Sequence, residues 1–152
     1  ASKAEFEEAM TGALLAHGVD FVCLAGFMRI VSPAFIERWH NRLINIHPSL
    51  LPSYKGLHTH ERALADGVKL TGCTVHFVRA EMDVGPIVAQ AAVPVLAGDT
   101  PDSLAARLLM AEHRLYPLAL RLIAEGKAKV NGEIVDIASD AVDETARLLS
   151  AR

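Results

Sequence analysis

Long apolar runs are missing from this chain: no stretch approaches the roughly 20 residues that a membrane-spanning helix needs. The opening ASKAEFEEAM is polar and has no apolar leader core. Cysteine is scarce. Cys23 and Cys73 each sit inside an apolar run, FVCLAGF and GCTVHFV, and both are expected to be reduced, buried thiols that act as small hydrophobes. A disulfide would need an oxidising compartment, which nothing here suggests. Surplus positive charge is also missing. Lys and Arg number 15 against 18 Asp and Glu, the net charge is −3, and no basic patch dominates. Nucleic acid is therefore not expected as a partner. No Gly-rich phosphate loop of the Rossmann or P-loop type occurs, and no Gly-x-Ser-x-Gly elbow, which argues against a serine hydrolase. Repeats and low-complexity tracts are absent. A cytoplasmic protein is the expectation.

What remains is an ordinary globular composition. About half of the 152 residues are apolar (51%), enough for one domain spanning 1–152 with its own core. Residues 3–17 carry Phe6, Ala9, Met10, Ala13 and Leu14 at helical spacing, with Ser2 as N-cap and Gly18 as stop. The chain thus opens on a helix, with no strand before it, like a larger fold entered partway. DFVCLA at 20–25 reads as a strand buried on both faces. Ser32-Pro33 opens a helix to about Trp39, and RLINI at 42–46 is a second buried strand. Residues 47–59, with two prolines and a glycine, form a loop, and 60–66 a helix stopped by Gly67. Strands are expected at 70–78 and 87–95, with Pro94 toward an edge. The loop between them, 79–86, is too short for a crossover helix, so they should be antiparallel. Thr100-Pro101 starts the longest helix, 101–125; a hairpin turns at Asn131-Gly132 within 128–137, and 140–150 is a last helix. The fold class is α/β, with a mixed, mostly parallel sheet flanked by helices.

In open α/β sheets ligands bind beyond the carboxyl ends of the strands. The strand at 42–46 ends on Asn45, His47 and Pro48. Alternation puts Asn45 and His47 on one side of the strand tip. An amide can hold an oxyanion and an imidazole titrates near neutral pH, so the two together suit polarising a carbonyl and moving a proton. Spacing alone leaves open a His47 bonded only to backbone. Asp83 lies in an apolar loop before Gly85-Pro86, where a turn-forming role is equally open. Should it approach His47, its carboxylate would favour the charged imidazole. His58, His60 and His76 have no cysteine or carboxylate ligands at matching spacing, so no metal is expected.

The strings LAGFMRIVSPAF, NIHPSLLPSYKGLHTHERAL, GCTVHFVRAEMDVGPIVAQ and AEHRLYPLAL resemble the folate-dependent formyltransferases. The likeness covers most of residues 1–137. Gly-Leu-His-Thr-His points to the glycinamide ribonucleotide branch of purine synthesis. The resemblance implies a three-layer fold and formyl transfer from 10-formyltetrahydrofolate, without a metal, to the amine of glycinamide ribonucleotide. It implies Asn45, His47 and Asp83 as the catalytic set, with Asn45 on the formyl oxygen and His47 as proton donor. The folate would meet Met28, Arg29, Ile30 and Val31, with Arg29 on its carboxylate tail and Lys3 nearby, where the family often has an arginine. Asn45 and the backbone of Arg79, Ala80, Glu81, Met82 and Asp83 would hold the pterin. Ile46, Pro48 and Glu112 would meet the amine substrate. The family's opening strand and Gly-Ser-Asn phosphate loop have no counterpart here, so this chain is expected to be the C-terminal part of a longer one. Two other readings compete. One is a formyltetrahydrofolate deformylase, which would use water as acceptor. The other is a non-catalytic folate-binding fragment. A transfer RNA formyltransferase fits less well, for want of basic surface.

Overall fold

A computed structural model describes residues 2–27 and 29–148. The chain runs α1 (Lys3–Ala16), β1 (Val22–Leu24), α2 (Pro33–Arg38), β2 (Leu43–His47), α3 (Thr59–Ala65), β3 (Leu70–Phe77) and β4 (Ile87–Pro94). It continues through α4 (Pro101–Ala124), β5 (Ala128–Asn131), β6 (Ile134–Ile137), α5 (Val142–Thr145) and β7 (Ala146–Leu148).

The helices start where their capping residues stand. Ser2 accepts from the Glu5 N–H while the Glu5 carboxylate accepts from the Ser2 N–H, a reciprocal pair that closes the first turn of α1. Thr100 and Ser103 do the same for α4. Ser32 caps α2 by accepting from the Phe35 N–H. Its own hydroxyl and N–H donate to the buried carboxylate of Glu7, which ties α1 to the start of α2.

Five strands form one sheet in the order β1-β2-β3-β4-β7, and β5-β6 forms a separate hairpin. The sheet is mixed, as expected. Among the described pairings β1–β2 and β4–β7 are parallel, and β2–β3 and β3–β4 antiparallel. The parallel share is thus half of these pairings rather than most of them, because short loops join β3 and β4 directly. One face of the sheet carries Val22, Leu24 and Leu43 against Met10, Leu14, Phe35, Ile36 and Trp39. The other carries Ile44, Ile46, Cys73, Val75 and Ala91 against the buried stripe Leu104, Leu108, Ala111, Leu115, Ala119 and Leu122 of α4. Helices therefore cover both faces, and the two cores make three layers.

Two further expectations need correction. The strand at 20–25 spans only Val22–Leu24, and Cys23 is exposed. A three-residue strand at the edge of the described sheet is well covered on one face only. Cys73 is buried as expected, and burial pushes its thiol up to about 12. The terminal helix is also different. After a 3₁₀ turn at Ser139–Ala141 and the short α5, residues 146–148 pair with Gln90–Ala92 of β4. The open edge of β4 offers unpaired backbone groups, and these outweigh a weak helical pattern. Residues 149–150 lie outside the described residues. Pro94 of β4 lies beyond the residues that β7 pairs.

Candidate active site

Strand β2 delivers two side chains to the carboxyl end of the sheet. Asn45 and His47 share a face, and their cross-strand partners on β3 are His76 and Thr74. The loop after β2 is pinned at its base. Thr74 donates from its hydroxyl to the Ser49 carbonyl at 2.7 Å and accepts from the Leu51 N–H at 3.0 Å and the Gln90 amide at 2.9 Å. This buried network holds residues 49–51 against β3 and β4, and so fixes where the rest of the loop can run.

The loop after β3 brings Asp83 back to the same end. Its path depends on Gly85. The φ there is +137°, and a Cβ would lie 2.0 Å from the Phe77 carbonyl oxygen, so no other residue fits. The Phe77 N–H donates to the Pro86 carbonyl at 2.9 Å and closes the turn. Asp83 has a φ of +53°, which a carboxylate side chain tolerates better than most.

His47 and Asp83 meet, with Nδ1 and Oδ1 3.3 Å apart and both side chains largely buried, at 8% and 11% exposure. The other ring nitrogen, Nε2, lies 2.9 Å from the Tyr54 carbonyl oxygen. Both nitrogens therefore face acceptors, and the ring can donate to both only as imidazolium. The remaining oxygen of Asp83, Oδ2, accepts from the Gly56 N–H at 2.7 Å. The open alternatives turn out not to exclude each other: His47 does bond backbone, Asp83 does sit in a turn, and they still form a pair. Asn45 is half-buried, and its amide has no protein partner among the described residues.

These groups line a cleft of about 870 Å³ that also takes in Arg29, Ile30, Val31, Ile46, Pro48, the segment 79–83 and Glu112. Such a volume lies within the range of small-molecule sites. Arg29, Ile30 and Val31 also line an adjoining hollow of about 430 Å³ with Lys3 and Phe6. Arg29 is exposed there and stacks over the Phe6 ring at 4.5 Å. Lys3 thus stands beside the main cleft rather than in it. Met28 lies outside the described residues. The Arg79 guanidinium is committed elsewhere, to Glu133, to Asn41 and to the Val78 carbonyl. Only its backbone is left to face a ligand. Glu112 is half-buried, and burial raises its carboxyl above the ordinary range, opposed by nearby His113. A cationic amine entering the cleft would relieve that penalty.

Sequence reasoning missed Tyr54 and Gly56, because both act through backbone atoms and no side-chain pattern marks them. His76, weighed there only as a metal ligand, is buried beside Asn45. Its Nδ1 donates to the Phe77 carbonyl at 3.0 Å, while Nε2 has no partner among the described residues. Among the described residues no group of three or more His, Cys, Asp or Glu is placed to hold a metal.

A family model described as formyl transferase matches residues 1–120. The chain is 50% identical over 135 residues to the trifunctional purine biosynthetic protein adenosine-3 of Homo sapiens, covering 88% of this chain and 13% of that protein. It is 52% identical over 115 residues to the phosphoribosylglycinamide formyltransferase of Escherichia coli (strain K12), covering 76% of this chain and 54% of that one. It therefore spans about half of the bacterial relative and a small part of the animal one. The crystal structure of phosphoribosylglycinamide formyltransferase from Anaplasma phagocytophilum superposes with a TM-score of 0.88 at 50% identity, over 93% of this chain and 69% of that one. Solved formyltetrahydrofolate deformylases are more distant, at 30% and 34% identity.

Proposed function

The chain belongs to the formyl transferase family, and on that premise we propose that it transfers a formyl group from 10-formyltetrahydrofolate to the amine of glycinamide ribonucleotide. It would act as one catalytic and folate-binding domain, serving purine synthesis in the cytoplasm. The observation that carries this reading is the His47–Asp83 pair beside an unpartnered Asn45 amide, in one cleft with Glu112.

The chemistry follows from these positions. The substrate amine, held by Glu112 and the backbone of Ile46 and Pro48, attacks the formyl carbon. A carbon–nitrogen bond forms and negative charge collects on the formyl oxygen. Asn45 donates to that oxygen, the kind of contact that acts mainly on the transition state. The bond from carbon to the folate nitrogen then breaks. The amine has a proton to lose and the departing nitrogen needs one, and the His47–Asp83 pair is suited to relay it. Folate would be bound by Arg29, Ile30, Val31 and the backbone of 79–83, with Met28 in the same segment.

The test is a formyl-transfer assay with 10-formyltetrahydrofolate, run with and without glycinamide ribonucleotide on the full-length protein that contains this chain. Formylated product only when the amine is present supports the transferase. Formate release without it makes the protein a deformylase, and folate binding with neither reaction makes it a binding module.

A further inference from the structure

Between Tyr54 and Leu57 the backbone faces two ways. The Tyr54 carbonyl accepts from His47 and the Gly56 N–H donates to Asp83, at 2.9 and 2.7 Å. The carbonyls of Lys55 and Leu57 face the opposite way, toward α3. There the Arg62 Nη1 donates to Lys55 at 2.7 Å and, more weakly, to Leu57 at 3.4 Å. The same guanidinium lies over the Tyr54 ring, 5.4 Å from its centre, and the Tyr54 hydroxyl donates to Asp66 at 2.9 Å. One arginine thus touches Tyr54, Lys55 and Leu57, three of the four residues of the segment whose Tyr54 carbonyl and Gly56 N–H grip the catalytic pair.

That grip does not hold itself. Tyr54, Gly56 and His58 have φ values of +54°, +79° and +57°, a region that the bulky Tyr54 adopts only at a cost. Contacts made by the segment must offset that cost. Those of Arg62 fall on the two carbonyls that face away from the catalytic pair.

We propose that Arg62 is a positioning residue: by holding the Lys55 and Leu57 carbonyls it keeps the Tyr54 carbonyl on His47 and the Gly56 N–H on Asp83. It touches no reacting atom. A lysine could supply charge and donors but no planar face, whereas the guanidinium donates from Nη1 to both carbonyls while its plane lies over the Tyr54 ring. The inference takes the catalytic role of His47 and Asp83 from the reading above, but the geometry it concerns can be measured without any reaction.

The experiment compares the parent chain with Arg62→Ala and Arg62→Lys by NMR. It follows hydrogen exchange at the Gly56 amide and the ring nitrogen resonances of His47, with β3 amides as a check on the fold. Arg62 is exposed, so both variants should fold. In Arg62→Ala the Gly56 amide should exchange about tenfold faster, the scale of one lost charge-assisted hydrogen bond. The Nε2 signal of His47 should move toward that of an unbonded ring, and β3 protection should stay. Arg62→Lys should lie between. In the full-length enzyme kcat should fall by a similar factor with the KM for the formyl donor little changed. Unchanged Gly56 exchange and His47 signals in Arg62→Ala overturn the proposal. Absence of formyl transfer by the parent enzyme would instead overturn the functional reading and leave the structural result to stand.

Discussion

Asp83 carries more of the proposed chemistry than any other single side chain, because each of its oxygens has its own task. Oδ1 faces His47 and Oδ2 accepts from the Gly56 N–H. Asp83→Asn keeps the volume but removes the charge, and one amide end then presents donors where an acceptor is needed. The pair could no longer relay a proton. In the full-length enzyme kcat should fall on the order of 10²–10⁴-fold, the usual weight of a general acid or base. Affinity for a folate analogue, measured by titration, should change far less, because the neighbouring backbone is kept. Full turnover in Asp83→Asn would reduce the residue to a turn former. Arg29 makes the opposite case. It is exposed beside the smaller hollow and stacks on Phe6, so its guanidinium is held but not neutralised. Arg29→Ala should weaken a folate that carries its glutamate tail by about tenfold, the scale of a charge-assisted contact. It should leave a tail-less pterin analogue unaffected. Equal losses for both ligands would assign Arg29 to packing rather than to the carboxylate.

At the scale of elements, the loop 79–86 shows how a backbone constraint places a side chain. Gly85→Ala would put a methyl group where the Phe77 carbonyl oxygen already stands. The turn must open, and Asp83, two residues earlier, must move with it. A drop in kcat of at least about tenfold is expected, since displacement of a catalytic group by an ångström can cost a hundredfold. Urea unfolding should show a loss of about 1–3 kcal/mol, typical of an unaccommodated change at a strained glycine. An unchanged catalytic rate would mean that the loop reaches its working shape by another route. Such constraints were only partly legible in the sequence. The caps at Ser2, Ser32 and Thr100 could be read directly, because a capping side chain acts on its own helix. The strand pair β3–β4 could be read from the short loop that joins it. Asn45 and His47 could be placed on one face by alternation alone. The edge position of Cys23 could not, since burial of a strand depends on neighbours that are distant in sequence. Nor could β7, whose three residues form a strand only because β4 offers them an open edge. Tyr54, Gly56 and Arg62 were invisible for a different reason. Their contribution is a carbonyl, an N–H and a contact between loop and helix, and none of these leaves a mark on residue type.

One buried and one half-buried imidazole, His76 and His60, resist protonation in the fold, and this bears on how stability depends on pH. Burial pushes His76 and His60 below the ordinary histidine range. For His76 the Phe77 carbonyl and the Asp83 carboxylate pull the other way while His47 adds to the lowering; for His60 the opposing group is Glu61. As pH falls through about 6.5, the unfolded chain takes up protons on these residues while the folded chain does not. The unfolded state then binds more protons, so stability is lost as pH falls, until the folded-state values are passed. Glu112 acts in the opposite sense. Its raised carboxyl takes up a proton at a higher pH in the folded chain than in the unfolded one, so its penalty shrinks as pH falls. The two histidines thus act against Glu112, and the part of the stability that rests on the neutral His76 is lost as pH falls below about 6.5. For a chain of this size each kcal/mol moves the unfolding midpoint by about 2–4 °C. His76→Gln preserves a hydrogen-bonding side chain of similar length and removes the titration. The variant should be less stable than the parent at pH 7.5, since it gives up a well-fitted ring. Its midpoint should nevertheless fall less steeply toward pH 5.5, and Glu112→Gln should make the parent's decline steeper. Thermal unfolding of the three proteins across this range is the measurement. If His76→Gln declined in parallel with the parent, the neutral buried imidazole would not be the source of the pH dependence.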